Sequence, residues 1–115
     1  MTITIYHNPR CTKSRLSLEL LKNKNIDPKI ILYLENAPTK EDLIDIMKKL
    51  GATSPIAFMR QKEDAFKEQN LSDKNSNDEL FTAIIHNPKL LERPIIINGS
   101  KAVIGRPPEN ILDIL

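Results

Sequence analysis

Thr2-Ile3-Thr4-Ile5-Tyr6-His7-Asn8-Pro9-Arg10-Cys11-Thr12-Lys13-Ser14-Arg15-Leu16 is the stretch that decides the fold. Thr2 to Tyr6 alternates polar and apolar residues and is rich in β-branched side chains, so it reads as a strand. His7-Asn8-Pro9 is a turn signal. Beyond Cys11 the period changes. Leu16, Leu18, Leu20 and Leu21 sit among charged residues at helical spacings, which predicts an amphipathic helix from about Thr12 to Asn25. Asp27-Pro28 breaks it, and Ile30-Ile31-Leu32-Tyr33-Leu34 follows as a second strand. Strand, turn, helix and strand make one βαβ unit, which implies a parallel pair with a right-handed crossover.

Outward from this unit the middle of the chain is helical. Thr39 precedes Glu41 and Asp42, Leu43, Ile46, Met47 and Leu50 recur at helical spacing, and Gly51 is placed to end that helix. Ser54-Pro55 starts a short helix reaching about Met59. Arg60 to Gln69 is charged, with Phe66 as its main apolar anchor, and Ser72 to Asn77 reads as a loop. Ser76 and Glu79 form a capping box ahead of Leu80, Phe81, Ile84 and Ile85, and Pro88 ends that helix. Two strands follow, Pro94 to Asn98 and Lys101 to Ile104, joined by the hairpin signal Gly99-Ser100. After the turn Gly105-Arg106-Pro107-Pro108, a helix from Glu109 to Leu115 presents Ile111, Leu112, Ile114 and Leu115 as its apolar face. The expected fold is α/β, one domain over residues 1–115. A four-stranded mixed sheet carries helices on its faces, with a helical insertion between the βαβ and ββα halves. A thioredoxin-like sheet is one such arrangement.

Composition narrows the function. The 115 residues suffice for one self-supporting core. A net charge of +2 with 4% aromatic residues argues against nucleic-acid binding. A single cysteine excludes an internal disulfide and a thiolate zinc site built from this chain alone. No apolar run approaches a membrane span. With no basic and apolar leader at the N-terminus, a cytoplasmic address is expected, where a lone thiol stays reduced. A monomer without metal or bound cofactor is expected.

Cys11 is the first candidate for chemistry. It is either a small buried hydrophobe or a reactive thiolate, and its position favours the second. At a strand-to-helix junction, unsatisfied N–H groups and the positive end of the helix dipole favour thiolate and can receive an oxyanion. Arg10, Lys13 and Arg15 add charge nearby. Cys11-Thr12-Lys13-Ser14 has the frame of a C-x-x-C motif with serine in the second place, so an oxidised Cys11 must be resolved by an outside thiol. Arg60, Arg93 and Arg106 stand apart from the lysine-rich helix faces, and their forks suit tetrahedral oxyanions. Each taken singly also reads as a solvated surface arginine. His7 either raises the thiolate fraction or is a strand-end histidine with a satisfied ring. His86, at a helix end, reads as a surface residue.

The run Ile5-Tyr6-His7-Asn8-Pro9-Arg10-Cys11-Thr12-Lys13-Ser14-Arg15 resembles the active-site signature of the glutathione/glutaredoxin-dependent arsenate reductases. The resemblance continues through Leu32-Tyr33-Leu34-Glu35, Met59-Arg60-Gln61-Lys62-Glu63, Asn87 to Ile95, and Ile104-Gly105-Arg106-Pro107-Pro108, and so covers essentially the whole chain in order. It is nearest to a short subgroup related to Spx-type regulators. The resemblance implies a thioredoxin-like fold with a helical insertion. It implies that Cys11 attacks arsenate or a similar oxyanion, that Arg60, Arg93 and Arg106 bind it, and that His7 and Ser14 support the thiolate. It also implies glutathione as co-substrate, glutaredoxin as partner and a cis peptide bond before Pro94. The alternatives are an Spx-type regulator that binds RNA polymerase and a general glutathione-linked thiol protein. Spx-type regulators usually carry a second cysteine where Ser14 stands and lack the pair matching Arg106-Pro107, and both differences favour the enzyme.

Overall fold

In the computed structural model, which describes residues 2–115, the strands form a single sheet. Strand β1 (Ile3–Tyr6) leads through helix α1 (Thr12–Asn23) to β2 (Lys29–Ile31), and β3 (Ile95–Asn98) and β4 (Lys101–Ile104) come from the far end of the chain. The sheet order is β2-β1-β3-β4. β1 pairs parallel with β2, placing Ile5 opposite Ile30, and antiparallel with β3, placing Tyr6 opposite Ile95. β3 and β4 form the hairpin expected from Gly99-Ser100, with Gly99 at φ 63. This is the thioredoxin-like mixed sheet that the sequence suggested.

The chain divides into two compact units. The first comprises the chain up to Asn36 together with Arg93–Leu115, and so holds the whole sheet. Its core gathers Ile3 and Ile5 of β1, Leu21 of α1, Ile96 of β3, and Ile111 and Ile114 of a 3-10 helix over Pro108–Ile114. Burying such side chains contributes about 1.5–3 kcal/mol each.

Three local readings change in this unit. The second strand is only three residues, not Ile30 to Leu34, because Leu32 already accepts the Glu35 and Asn36 N–H groups and starts a turn. Helix α1 stops at Asn23 and not at Asn25, since Asn25 turns left-handed at φ 62. Ile26 and Asn25 then donate to the carbonyls of Leu21 and Lys22, the double bond of a Schellman cap. The C-terminal helix is 3-10, whose three-residue repeat lines up Pro108, Ile111 and Ile114 as its buried residues and leaves Leu112 and Leu115 exposed.

A fourth difference concerns the face of α1. Its buried residues are Ser14, Ser17 and Leu21, while Leu16 is 44% exposed. Small side chains are required there. A Cβ at Gly105, just after β4, would lie 2.7 Å from Ser17 Oγ and 2.9 Å from Pro94 Cγ. The helix rests so close to the strand ends that a side chain at position 105 would clash with Ser17.

The second unit, Ala37–Glu92, contains α2 (Lys40–Leu50), a 3-10 helix (Pro55–Phe58), α3 (Asp64–Glu68), α4 (Asn77–His86) and a second 3-10 helix (Pro88–Leu90). Thr39 with Asp42 and Ser76 with Glu79 form capping boxes that start α2 and α4. Gly51, left-handed at φ 73, ends α2. Leu43, Ile46, Phe58, Leu80, Ile84, Leu90 and Leu91 are fully buried in this unit. Met59 bridges Leu91, and the Arg60 N–H donates to the Leu90 carbonyl at 2.7 Å, which fixes the backbone at Arg60.

Candidate active site

The Cys11 loop begins where β1 ends. The His7 N–H donates to the Ile31 carbonyl at 2.8 Å, carrying the parallel pairing one residue past the strand. Asn8-Pro9-Arg10-Cys11 then reverses the chain. The Cys11 N–H donates to the Asn8 carbonyl at 3.0 Å, and the Arg10 N–H donates to Asn8 Oδ1 at 3.0 Å. Asn at the first position and Pro at the second suit such a turn, since Pro presets φ and Asn accepts a local N–H.

Cys11 is the N-cap residue of α1, with φ −93 and ψ 123. Its sulfur stands where a Ser or Asp oxygen usually receives the orphan amides of the first turn. No side-chain cap hydrogen bond is closed, yet the Ser14 and Lys13 amides lie near enough to act on the thiol. Burial acts to raise the Cys11 pKa. It is outweighed by the Ser14 amide, by the hydrogen bond and charge of Arg93 and by the Lys13 amide, so the thiol is held below 9.0. Cys11 is buried, with 9% of the residue exposed at the start of the helix.

Strand register explains why Arg93 is there. Tyr6 pairs with Ile95 and Ile95 pairs with Ile104, so the end of β1, the start of β3 and the end of β4 lie side by side. Arg93 stands two residues before that line and Arg106 two residues beyond it. Both fall on the edge of the sheet from which the Cys11 loop emerges. The Arg93 Nε is buried and has no hydrogen-bond partner. Arg106 is exposed and donates from Nη1 to the Arg93 carbonyl at 3.3 Å. The Arg93–Pro94 and Arg106–Pro107 peptide bonds are both cis.

Ser14 and His7 are both buried. Ser14 Oγ lies 2.6 Å from His7 Nδ1 and accepts the Asn8 N–H at 3.0 Å. Burial first, and the charge of Lys22 second, lower the His7 pKa below 6.5, so its ring is neutral at pH 7. The His7 ring is thus hydrogen-bonded at the end of β1. Ser14 acts on Cys11 through its backbone amide, while its hydroxyl ties the loop to His7.

Arg60 belongs to the other unit, where Nη1 pairs with Glu63 Oε2 at 2.8 Å. His86 is exposed. Among the described residues no group of His, Cys, Asp and Glu could hold a metal ion, and no helix is long and apolar enough to cross a membrane.

Sequence reasoning passed over two residues that shape this site. Asn8 organises the turn, and its signal was the Asn-Pro pair itself. Gly105 admits α1 to the strand ends, and its signal was a glycine directly ahead of Arg-Pro.

Known proteins resemble this chain in sequence and in backbone. A family description, the ArsC family, matches residues 6–114. The chain is 50% identical over 116 residues to the arsenate reductase of Haemophilus influenzae, covering 100% of both chains. It is also 50% identical over 114 residues to the uncharacterized protein YfgD of Escherichia coli K12, covering 98% of this chain and 96% of that one. The solved structure of the arsenate reductase from Vibrio cholerae superposes with a TM-score of 0.96 at 47% identity, covering 100% of this chain and 98% of that one. Family match, full-length identity and shared backbone agree that the chain belongs to the ArsC family.

Proposed function

We propose that this protein reduces arsenate to arsenite in the cytoplasm, with Cys11 as nucleophile, glutathione as co-substrate and glutaredoxin as the recycling partner. The observation that carries the reading is the environment of Cys11: an N-cap sulfur facing first-turn amides and the guanidinium of Arg93, whose Nε is buried without a partner. Such a constellation favours a thiolate and an incoming oxyanion together. The names of full-length relatives at about half identity supply the substrate.

The Cys11 thiolate attacks arsenic(V), forming a sulfur–arsenic bond and releasing one arsenate oxygen as water after protonation. Arg93 and Arg106 balance charge on the remaining oxygens. Preorganised donors of this kind need no reorganisation as charge develops. Glutathione then engages the adduct. A sulfur–sulfur bond forms between glutathione and Cys11 as the sulfur–arsenic bond breaks, and its electron pair stays on arsenic, now arsenic(III). The two sulfurs have supplied the two electrons. Glutaredoxin attacks the glutathione sulfur of the mixed disulfide and frees Cys11 as thiolate.

The test is arsenate-dependent NADPH oxidation in a mixture of this protein, glutathione, glutaredoxin and glutathione reductase. Oxidation that requires both arsenate and the protein is expected. Oxidation that proceeds with glutathione and a mixed-disulfide substrate but ignores arsenate would identify a general thiol protein instead.

A further inference from the structure

Asn8 bonds to three parts of the Cys11 loop at once. Its carbonyl accepts the Cys11 N–H, its Oδ1 accepts the Arg10 N–H, and its own N–H donates to Ser14 Oγ, each at 3.0 Å. Only the second of these depends on the side chain. Pro9 has no N–H and a fixed φ, and the next donor in the turn, the Arg10 N–H, is taken up by a side chain and not by the backbone. Asn8 Oδ1 is that acceptor.

The link matters because the sulfur is not itself closed into a cap bond. Its place above the Ser14 and Lys13 amides depends on the backbone that delivers it. Dipolar contacts of this kind fall off within the first turn of the helix. We propose that the Asn8 side chain is a positioning residue for Cys11: by holding the Arg10 N–H it locks the Asn8–Cys11 turn and keeps the sulfur over the first amides of α1. This rests on Cys11 being the working nucleophile, as proposed above. The charged and titratable groups around the sulfur are Arg93, which faces it, His7 behind Ser14, and the exposed Arg10 and Lys13 on either side. A change at Asn8 leaves all of them in the chain.

The experiment is the rate of iodoacetamide alkylation of Cys11 against pH for wild type, Asn8→Ala, Asn8→Gln and Asn8→Ser, each first shown to be folded by circular dichroism. Alanine removes the acceptor, and glutamine moves it one methylene too far. Both are expected to raise the alkylation midpoint by about half a pH unit or more, which slows alkylation at neutral pH roughly threefold. Serine can make the same local bond more weakly, and is expected to recover most of that shift. Wild-type midpoints in both alanine and glutamine variants would overturn the proposal. So would a slowing that is equal at every pH, since that reports altered access and not a displaced thiolate. If alanine does not fold, the difference between glutamine and serine decides, and equal midpoints for those two overturn the proposal. Alkylation uses no arsenate, so this outcome is read independently of whether arsenate is turned over.

Discussion

Ser14 Oγ lies 2.6 Å from His7 Nδ1, with both side chains buried beneath the Cys11 loop. Because burial and then the charge of Lys22 lower the His7 pKa from 6.5, the unfolded chain binds the His7 proton at a higher pH than the folded chain does. The stability tied to neutral His7 is therefore complete above about pH 6.5 and is lost as pH falls through that value toward the folded pKa. Urea midpoints for wild type should drop between about pH 7.5 and about pH 5.5, and His7→Gln should show a flatter profile over that window. An unchanged slope in the variant would mean that His7 is not the group being protonated.

Cys11→Ser should abolish arsenate turnover and still fold. Serine is a preferred N-cap residue and can accept the first-turn amides that the sulfur faces, so stability should stay within about 1 kcal/mol of wild type or rise slightly. Coupled turnover and a thermal melt check the two halves separately. Residual turnover near the wild-type rate would remove Cys11 from the mechanism.

The arginines should separate from ordinary surface cations. Removing one preorganised donor typically costs about 10²–10³ in rate, and Arg93→Ala and Arg106→Ala are each expected in that range. Lysine at these positions should restore only part, because an ammonium cannot fork. Arg93→Ala carries a second signature. It should also raise the Cys11 alkylation midpoint, since Arg93 helps hold that thiol below 9.0. Lys48→Ala, on the exposed side of α2, is the control in steady-state assays.

Gly105→Ala should destabilise by about 1–3 kcal/mol, the usual cost of overpacking, because its Cβ would meet Ser17 Oγ at 2.7 Å. Ser17→Ala alone should be near neutral or stabilising, since Ser17 Oγ is buried without a partner. Combining the two should recover part of the loss. Urea denaturation of the single and double variants measures this as a coupling energy, and strict additivity would mean that the two side chains do not meet.

Much of this was legible where local chemistry decides. The alternation before His7, the Ser76 and Glu79 capping box, Gly51 and the Gly99-Ser100 turn each act within a few residues, and each stands as read. The face of α1 is not legible in the sequence, because the close neighbour of Ser17 is Gly105, some ninety residues along the chain by the numbering. Over the short C-terminal segment, periods of 3.0 and 3.6 name overlapping residues, so Leu112 and Leu115 were assigned to the wrong side. Cys11 could be singled out by its strand-to-helix position alone. Arg93 could be tied to it only through the Tyr6–Ile95 register, which no spacing in the sequence announces.

The central claim is that arsenate reduction leaves glutathione on Cys11. Intact-protein and peptide mass spectrometry after incubation with arsenate and glutathione, with glutaredoxin withheld, tests it most directly. The account predicts one glutathione adduct per chain, located on Cys11, that forms with arsenate and is removed when glutaredoxin and glutathione are supplied. No adduct, or one that forms equally fast without arsenate, would contradict it.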